Sequence, residues 1–65
     1  MILVKGENTM KEAYISYADE QTGYTYNVQI VVNGSYTKES FYENDLWDAI
    51  THAESIGCQS IFTTF

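Results

Sequence analysis

Hydrophobic and polar positions alternate along two stretches of the chain. From Glu12 to Ala18 the apolar set is Ala13, Ile15 and Tyr17, and from Tyr24 to Val32 it is Tyr24, Tyr26, Val28, Ile30 and Val32. A period of two in segments rich in β-branched and aromatic residues predicts strands with one buried face. Between them, Glu20-Gln-Thr-Gly23 reads as a hairpin loop that pairs Tyr17 with Tyr26, Ile15 with Val28 and Ala13 with Ile30. That register sets apolar against apolar on one face, and a slip of one residue would bring Tyr14 and Ser16 there instead. Asn33-Gly34 then predicts a tight type I′ turn, whose two central residues need positive φ. Counting outward from it pairs Val32 with Ser35, Ile30 with Thr37, Val28 with Glu39 and Tyr26 with Phe41. Glu39 is out of place on a core face, so the third strand, over Ser35 to Tyr42, is expected at an edge of the sheet or shifted by a bulge.

The period changes after Tyr42. Leu46, Ala49, Ile50, Ala53 and Ile56 follow helical spacing and make one apolar face with Trp47 on its flank, while Asp45, Asp48, Thr51, His52 and Ser55 face the other way. Asn44 is the expected N-cap, Asp45 and Asp48 suit the positive end of the helix dipole, and Gly57 stands where a left-handed residue ends a helix, which predicts a helix over Asp45 to Ile56. Cys58 to Phe65 alternates weakly around Ile61 and Phe62 and reads as a last strand. The predicted order is β-β-β-α-β: an α+β domain in which one helix packs on one face of an antiparallel sheet of three to five strands. Residues 1–10, an apolar run that turns polar, read either as a flexible leader or as an extra edge strand.

The 65 residues, 7.4 kDa, fit one small domain spanning 1–65, and 45% apolar with 15% aromatic residues is enough to collapse a core. Three lysines and no arginine against nine acids give a net charge of −6. So acidic a chain is a poor binder of phosphate backbones or anionic membranes, both of which require clustered cations. Neither apolar run, Met1 to Val4 or Ile30 to Val32, approaches the ~20 residues of a membrane span. Cys58 is the only cysteine, which excludes an internal disulfide and any zinc site built on paired cysteines, and a reducing cytoplasm fits best.

Candidate chemistry is sparse. Asp45, Asp48 and His52 are three and four residues apart and can in principle line one helix face as metal ligands or an acid-base pair. The helix dipole and an ordinary surface pair between Asp48 and His52 explain the same spacing, so no metal or cofactor is expected. Cys58 reads as a small buried hydrophobe, and no phosphate loop, nucleophile elbow or His-Glu-x-x-His pattern occurs, so an enzyme is not expected.

Two surfaces remain. Tyr14 and Tyr36, with Val31, are expected on the sheet face away from the helix, where they either form a binding surface or simply cover the sheet. Glu39, Glu43, Asp45, Asp48 and Glu54 run through the third strand and helix, either as plain solubilising charge or as a row that imitates phosphates and attracts a basic groove.

With the hairpin Val28-Gln-Ile-Val-Val-Asn-Gly-Ser35, the short amphipathic helix and the closing strand, the layout resembles small acidic phage-encoded inhibitors of host machinery, such as anti-CRISPR proteins and phage inhibitors of RNA polymerase. The resemblance rests on size, charge and element order and contains no diagnostic motif. It implies stoichiometric inhibition of a host nucleic-acid-processing complex, with Glu39, Glu43, Asp45 and Asp48 meeting a basic surface and Tyr14 and Tyr36 as apolar anchors. The alternative expectation is a structural or regulatory module that homodimerises through its sheet.

Overall fold

The structure, a computed structural model, describes residues 10–65. Residues 1–9, most of the expected leader or edge strand, lie outside the described part. Strands β1 (Lys11–Tyr17) and β2 (Tyr26–Val32) form the expected hairpin in the expected register, with Ala13 opposite Ile30, Ile15 opposite Val28 and Tyr17 opposite Tyr26. Their connection closes more tightly than a plain loop. Asp19 caps a 3₁₀ turn over Glu20–Thr22 by accepting the Gln21 N–H at 3.0 Å, and Gly23 leaves it at φ 80°. At the opposite end of β2, Asn33 and Gly34 take φ of 53° and 84°, the I′ geometry their sequence predicts. Asn33 also accepts the Met10 N–H through its side chain at 2.8 Å and donates its own N–H to the Met10 carbonyl at 2.7 Å, which ties the turn to the start of β1.

Strand β3 (Ser35–Glu43) starts in the expected register, Val32 opposite Ser35, but does not keep it. Beyond Tyr36 the pairing resumes with Ser40 opposite Gln29, so that Val28 meets Phe41 and Tyr26 meets Glu43. The expected Val28–Glu39 and Tyr26–Phe41 pairs are thus replaced by pairs two residues further along β3. Thr37, Lys38 and Glu39 stand opposite Ile30 alone, in a bulge. Its unpaired backbone groups are met by side chains. The Gln29 amide donates to the carbonyls of Thr37 (2.8 Å) and Ile30 (2.9 Å), and the Thr37 hydroxyl donates to Ile30 (2.9 Å) while accepting the Glu39 N–H (3.1 Å). The bulge keeps a carboxylate out of the core and puts Phe41 there.

Helix α1 (Leu46–Ser55) begins one residue later than expected, because the cap is Asp45 and not Asn44. Asp45 accepts the N–H groups of Trp47 (2.8 Å) and Asp48 (3.3 Å); Asn44 instead accepts the Thr25 N–H at 3.1 Å and so extends the pairing of β2 with β3. The helix ends at Gly57 as predicted. At φ 97° this residue donates its N–H to Glu54, and Cys58 donates to Ala53, the paired bonds of a Schellman motif. Cys58 therefore belongs to the helix terminus, half-buried against the core, and not to the last strand as expected.

Because β1 and β3 both run antiparallel to β2, they point the same way, and the helix carries the chain back to the end where both begin. Strand β4 (Ser60–Thr63) must therefore run parallel to whichever of these two it joins. The outer edge of β3 is broken by the bulge, and β4 pairs with β1, Ala13 beside Ile61 and Tyr14 beside Phe62, giving the order β3-β2-β1-β4. The fold is the α+β sheet-and-helix layout expected from sequence, with three antiparallel strands and a fourth that joins parallel. Its core is Ala13, Ile15, Val28, Ile30, Ala49 and Ala53, all with no exposed surface, ringed by Tyr26, Val32, Phe41, Leu46, Ile50, Ile56, Cys58 and Ile61. Among the described residues no helix is long and apolar enough to cross a membrane.

Two substitutions test this account by urea denaturation. Asp45→Ala is expected to cost about 1 kcal/mol through loss of the cap, whereas Asn44→Ala leaves the helix terminus intact. Thr37→Val, which removes one of the two side-chain donors to the Ile30 carbonyl and the acceptor of the Glu39 N–H, is expected to cost about 0.5–1.5 kcal/mol; a neutral result would mean that the bulge does not depend on the hydroxyl.

Candidate protein-binding surface

The helix lies over β2 and β3 and covers one face of the sheet only. The opposite face carries Glu12, Tyr14 and Ser16 from β1, Asn27, Gln29 and Val31 from β2, Tyr36, Ser40 and Tyr42 from β3, and Ser60 and Phe62 from β4, aligned by the register of the ladder. This is the face on which sequence placed Tyr14, Tyr36 and Val31. Its aromatic rings are organised: Tyr14 stacks on Phe62 with centroids 5.1 Å apart, and Tyr42 stacks on Tyr24 at 5.4 Å. Tyr36 makes no such pair and is 81% exposed, while Val31 behind it is buried.

The Tyr14 hydroxyl donates to Glu12 Oε1 at 3.3 Å. Partial burial raises its pKa above the ordinary 10.0, and the neighbouring Glu12 carboxylate, together with Tyr36, raises it further by disfavouring a second negative charge. The open face therefore keeps a neutral phenol beside an acid, a surface with both hydrogen-bonding and apolar character.

The acids expected to form one docking row are for the most part already engaged. Glu39, displaced by the bulge, lies 3.7 Å from Lys11 Nζ, which also donates to the Ile56 carbonyl at 2.8 Å and so closes the C-terminal end of the helix. Glu43 meets His52 Nδ1 at 2.8 Å, and the His52 ring stacks on Phe41 with centroids 3.9 Å apart. His52 thus turns toward β3 and Glu43, which corrects the expected surface pair with Asp48. The reason is the bulge: by advancing β3 two residues it brings Phe41 and Glu43 under this turn of the helix. Asp45 is occupied as the cap, and of the row only Asp48 and Glu54 are exposed without a side-chain partner among the described residues. Asp45, Asp48 and His52 do not converge, and among the described residues no three His, Cys, Asp or Glu side chains are placed to hold a metal ion.

Glu43 is in register with Tyr26, on the helix side of the sheet, whereas Tyr14 and Tyr36 are on the open side. The six residues expected to bind a partner together therefore divide between two surfaces. Phe62 and Tyr42 belong to the aromatic face and were not singled out from sequence, while Tyr24, expected on the core face with Tyr26, precedes β2 and stacks on Tyr42 instead; the alternation that places Tyr36 outward places Tyr42 with it, but nothing local marks Phe62 as a neighbour of Tyr14. A second aromatic group, Tyr17, Tyr26 and Phe65, packs at the far end of β1, with Tyr17 and Phe65 centroids 4.5 Å apart. Comparison with protein-family models, curated proteins and solved structures finds no match for this chain.

Alkaline titration followed by tyrosinate absorbance provides a check on the open face. Tyr14 is expected to ionise above the ordinary tyrosine range, and Glu12→Gln to lower its pKa. Because the folded-state pKa is the higher one, the stability that Tyr14 contributes is complete below pH about 10 and declines as pH rises through the raised value.

Proposed function

We propose that this protein is a non-enzymatic binding module that docks on a basic surface of a larger protein through its open sheet face. The observation that carries the reading is the aromatic character of a face that the helix leaves uncovered, with the Tyr14–Phe62 stack, the Tyr24–Tyr42 stack and the highly exposed Tyr36. Tyrosines of this kind supply large, stiff contact area with a polar tip and are enriched among residues that dominate binding energy. The net charge of −6 supports a basic partner. Of the described lysines, Lys11 is held by Glu39 and Ile56, which leaves Lys38 alone to oppose the field. Such a field steers encounters with a lysine- and arginine-rich surface and repels nucleic acid itself.

The most concrete form of this reading is the phage-type inhibitor of a cytoplasmic nucleic-acid-processing complex that the sequence layout resembles, acting by occupancy and without a cofactor. The structure shifts the emphasis within it. Tyr14 and Tyr36 carry contact energy, Asp48 with Glu12 and Glu54 supplies unpaired charge, and Glu39, Glu43 and Asp45 are first of all parts of the fold.

Capture from bacterial lysate with tagged protein at low and at high salt, followed by titration of the captured partner, tests the reading. A basic partner is expected, weakened by salt and at least tenfold by Tyr36→Ser, since a tyrosine that anchors an interface is worth about 2 kcal/mol or more. Tyr36 is exposed enough that its loss leaves the fold intact. A partner held equally well by the Tyr36→Ser protein would overturn the assignment of the open face.

A further inference from the structure

The strands carry three glutamates, and two of them are answered from within the chain. Glu39 lies 3.7 Å from Lys11 Nζ, and Glu43 lies 2.8 Å from His52 Nδ1. Glu12 in β1 is the third. It is half-buried on the open face, no cation pairs with it among the described residues, and the one side-chain hydrogen bond it accepts, from the Tyr14 hydroxyl, is long at 3.3 Å. An ionised carboxylate accepts at about four lone-pair positions, and one partly withdrawn from water is costly unless those positions are filled. Glu12 keeps most of that capacity unused where water is already partly excluded.

Its surroundings select the kind of group that can use it. Register places Glu12, Val31 and Tyr36 in one row across β1, β2 and β3, with Tyr14 in the next row and Phe62 beside it on β4. Val31 is buried and makes an apolar floor, while Tyr36 leaves its ring open to solvent. Tyr36 is also near enough to Tyr14 to act on its ionisation, so two phenols stand about the carboxylate. The stack on Phe62 braces Tyr14 in that place. Strands two apart in a sheet are separated by about 10 Å, which leaves room above Val31 for one flat cationic group to reach both Glu12 and Tyr36. A guanidinium suits each feature of this spot. Its fork matches a carboxylate, its plane stacks on an aromatic ring, and its weak hydration is readily given up over an apolar floor. An ammonium is a strongly hydrated point charge and suits the carboxylate alone.

We propose that Glu12, Tyr14 and Tyr36 form a receptor for a single arginine side chain of the partner protein. The inference rests on the reading of the open face as a docking surface, and narrows it from a basic partner to one that presents arginine. Arginine and tyrosine are both enriched among the residues that dominate binding energy, and here they meet as a pair.

Titration of the full chain with tetra-arginine amide and with tetra-lysine amide, peptides of equal charge, tests the proposal when followed through the side-chain NMR signals of the tyrosines, aspartates and glutamates. The arginine peptide is expected to bind about fivefold more tightly or better, shifting Glu12, Tyr14 and Tyr36 first. Glu12→Gln keeps an acceptor for the Tyr14 hydroxyl but loses the charge, and is expected to weaken the arginine peptide by about fivefold or more and bring the two peptides level. Glu20→Gln removes the same charge from the exposed 3₁₀ turn and is expected to change binding by less than about twofold. Circular dichroism and thermal melting show whether each variant is folded, and Tyr36→Ser, expected to lose the same preference, serves if Glu12→Gln is not. Equal affinity for the two peptides overturns the proposal. So do shifts centred on Asp48 and Glu54, or a folded Glu12→Gln protein that binds the arginine peptide no worse than Glu20→Gln does. The reading beneath it fails separately. A partner captured from lysate that is lost with Tyr36→Ser but not with Glu12→Gln keeps the open face and overturns the arginine site, whereas selective binding of tetra-arginine amide with no captured partner keeps the site and removes the docking reading.

Discussion

Everything in this molecule depends on the contact of Ala49 and Ala53 with the apolar patch of Ala13, Ile15, Val28 and Ile30. All six side chains are fully removed from solvent. Two alanines one helical turn apart let the helix settle close to the sheet, and Ala13 gives way beneath it, so that Ile15, Val28 and Ile30 supply nearly all the bulk of the core. Burying such side chains is worth about 1.5–3 kcal/mol each, and a chain without disulfide or metal has few of them to spare. The single helix is spent on one face. The other is left to tyrosines, whose rings shield the strands while their hydroxyls remain compatible with water.

The bulge in β3 is the second determinant, because it reconciles a conflict written into the strand. Kept in simple register, β3 would point Glu39 at the core beside Val28. Three residues accommodated opposite Ile30, and satisfied by Gln29 and Thr37, exchange that carboxylate for Phe41. The same displacement positions Phe41 and Glu43 to receive His52 and lets Glu39 reach Lys11. Charges that look in sequence like a free acidic row are thereby converted into ties between helix and sheet. The bulge also blocks one edge, and with it the asymmetry between the two sides of the sheet is set.

Most of the fold was legible because local physics and global packing agree over most of the chain. The β1–β2 register followed from apolar alternation, the Asn33-Gly34 turn from its need for positive φ, and the Gly57 terminus from the same need. The helix cap was placed one residue early because Asn44 and Asp45 are both good caps, and only the demand of the Thr25 N–H for an acceptor assigns Asn44 elsewhere. The tyrosine face was half legible. Alternation gives the side of the sheet a residue occupies, but not which strand lies next to it, so Phe62 could not be joined to Tyr14 before β4 was placed.

The sequence by itself determined the number and kind of the elements, the first hairpin register, the apolar stripe of the helix and the sign of the overall charge. These depend on periodicity, turn chemistry and composition, which act over a few residues or over the whole chain at once. Tertiary structure alone decided that β4 runs parallel to β1, that β3 advances by two residues, and that Glu39, Glu43 and His52 find partners instead of solvent. Those outcomes turn on contacts between elements distant in sequence, where one bulge decides which side chains come within reach.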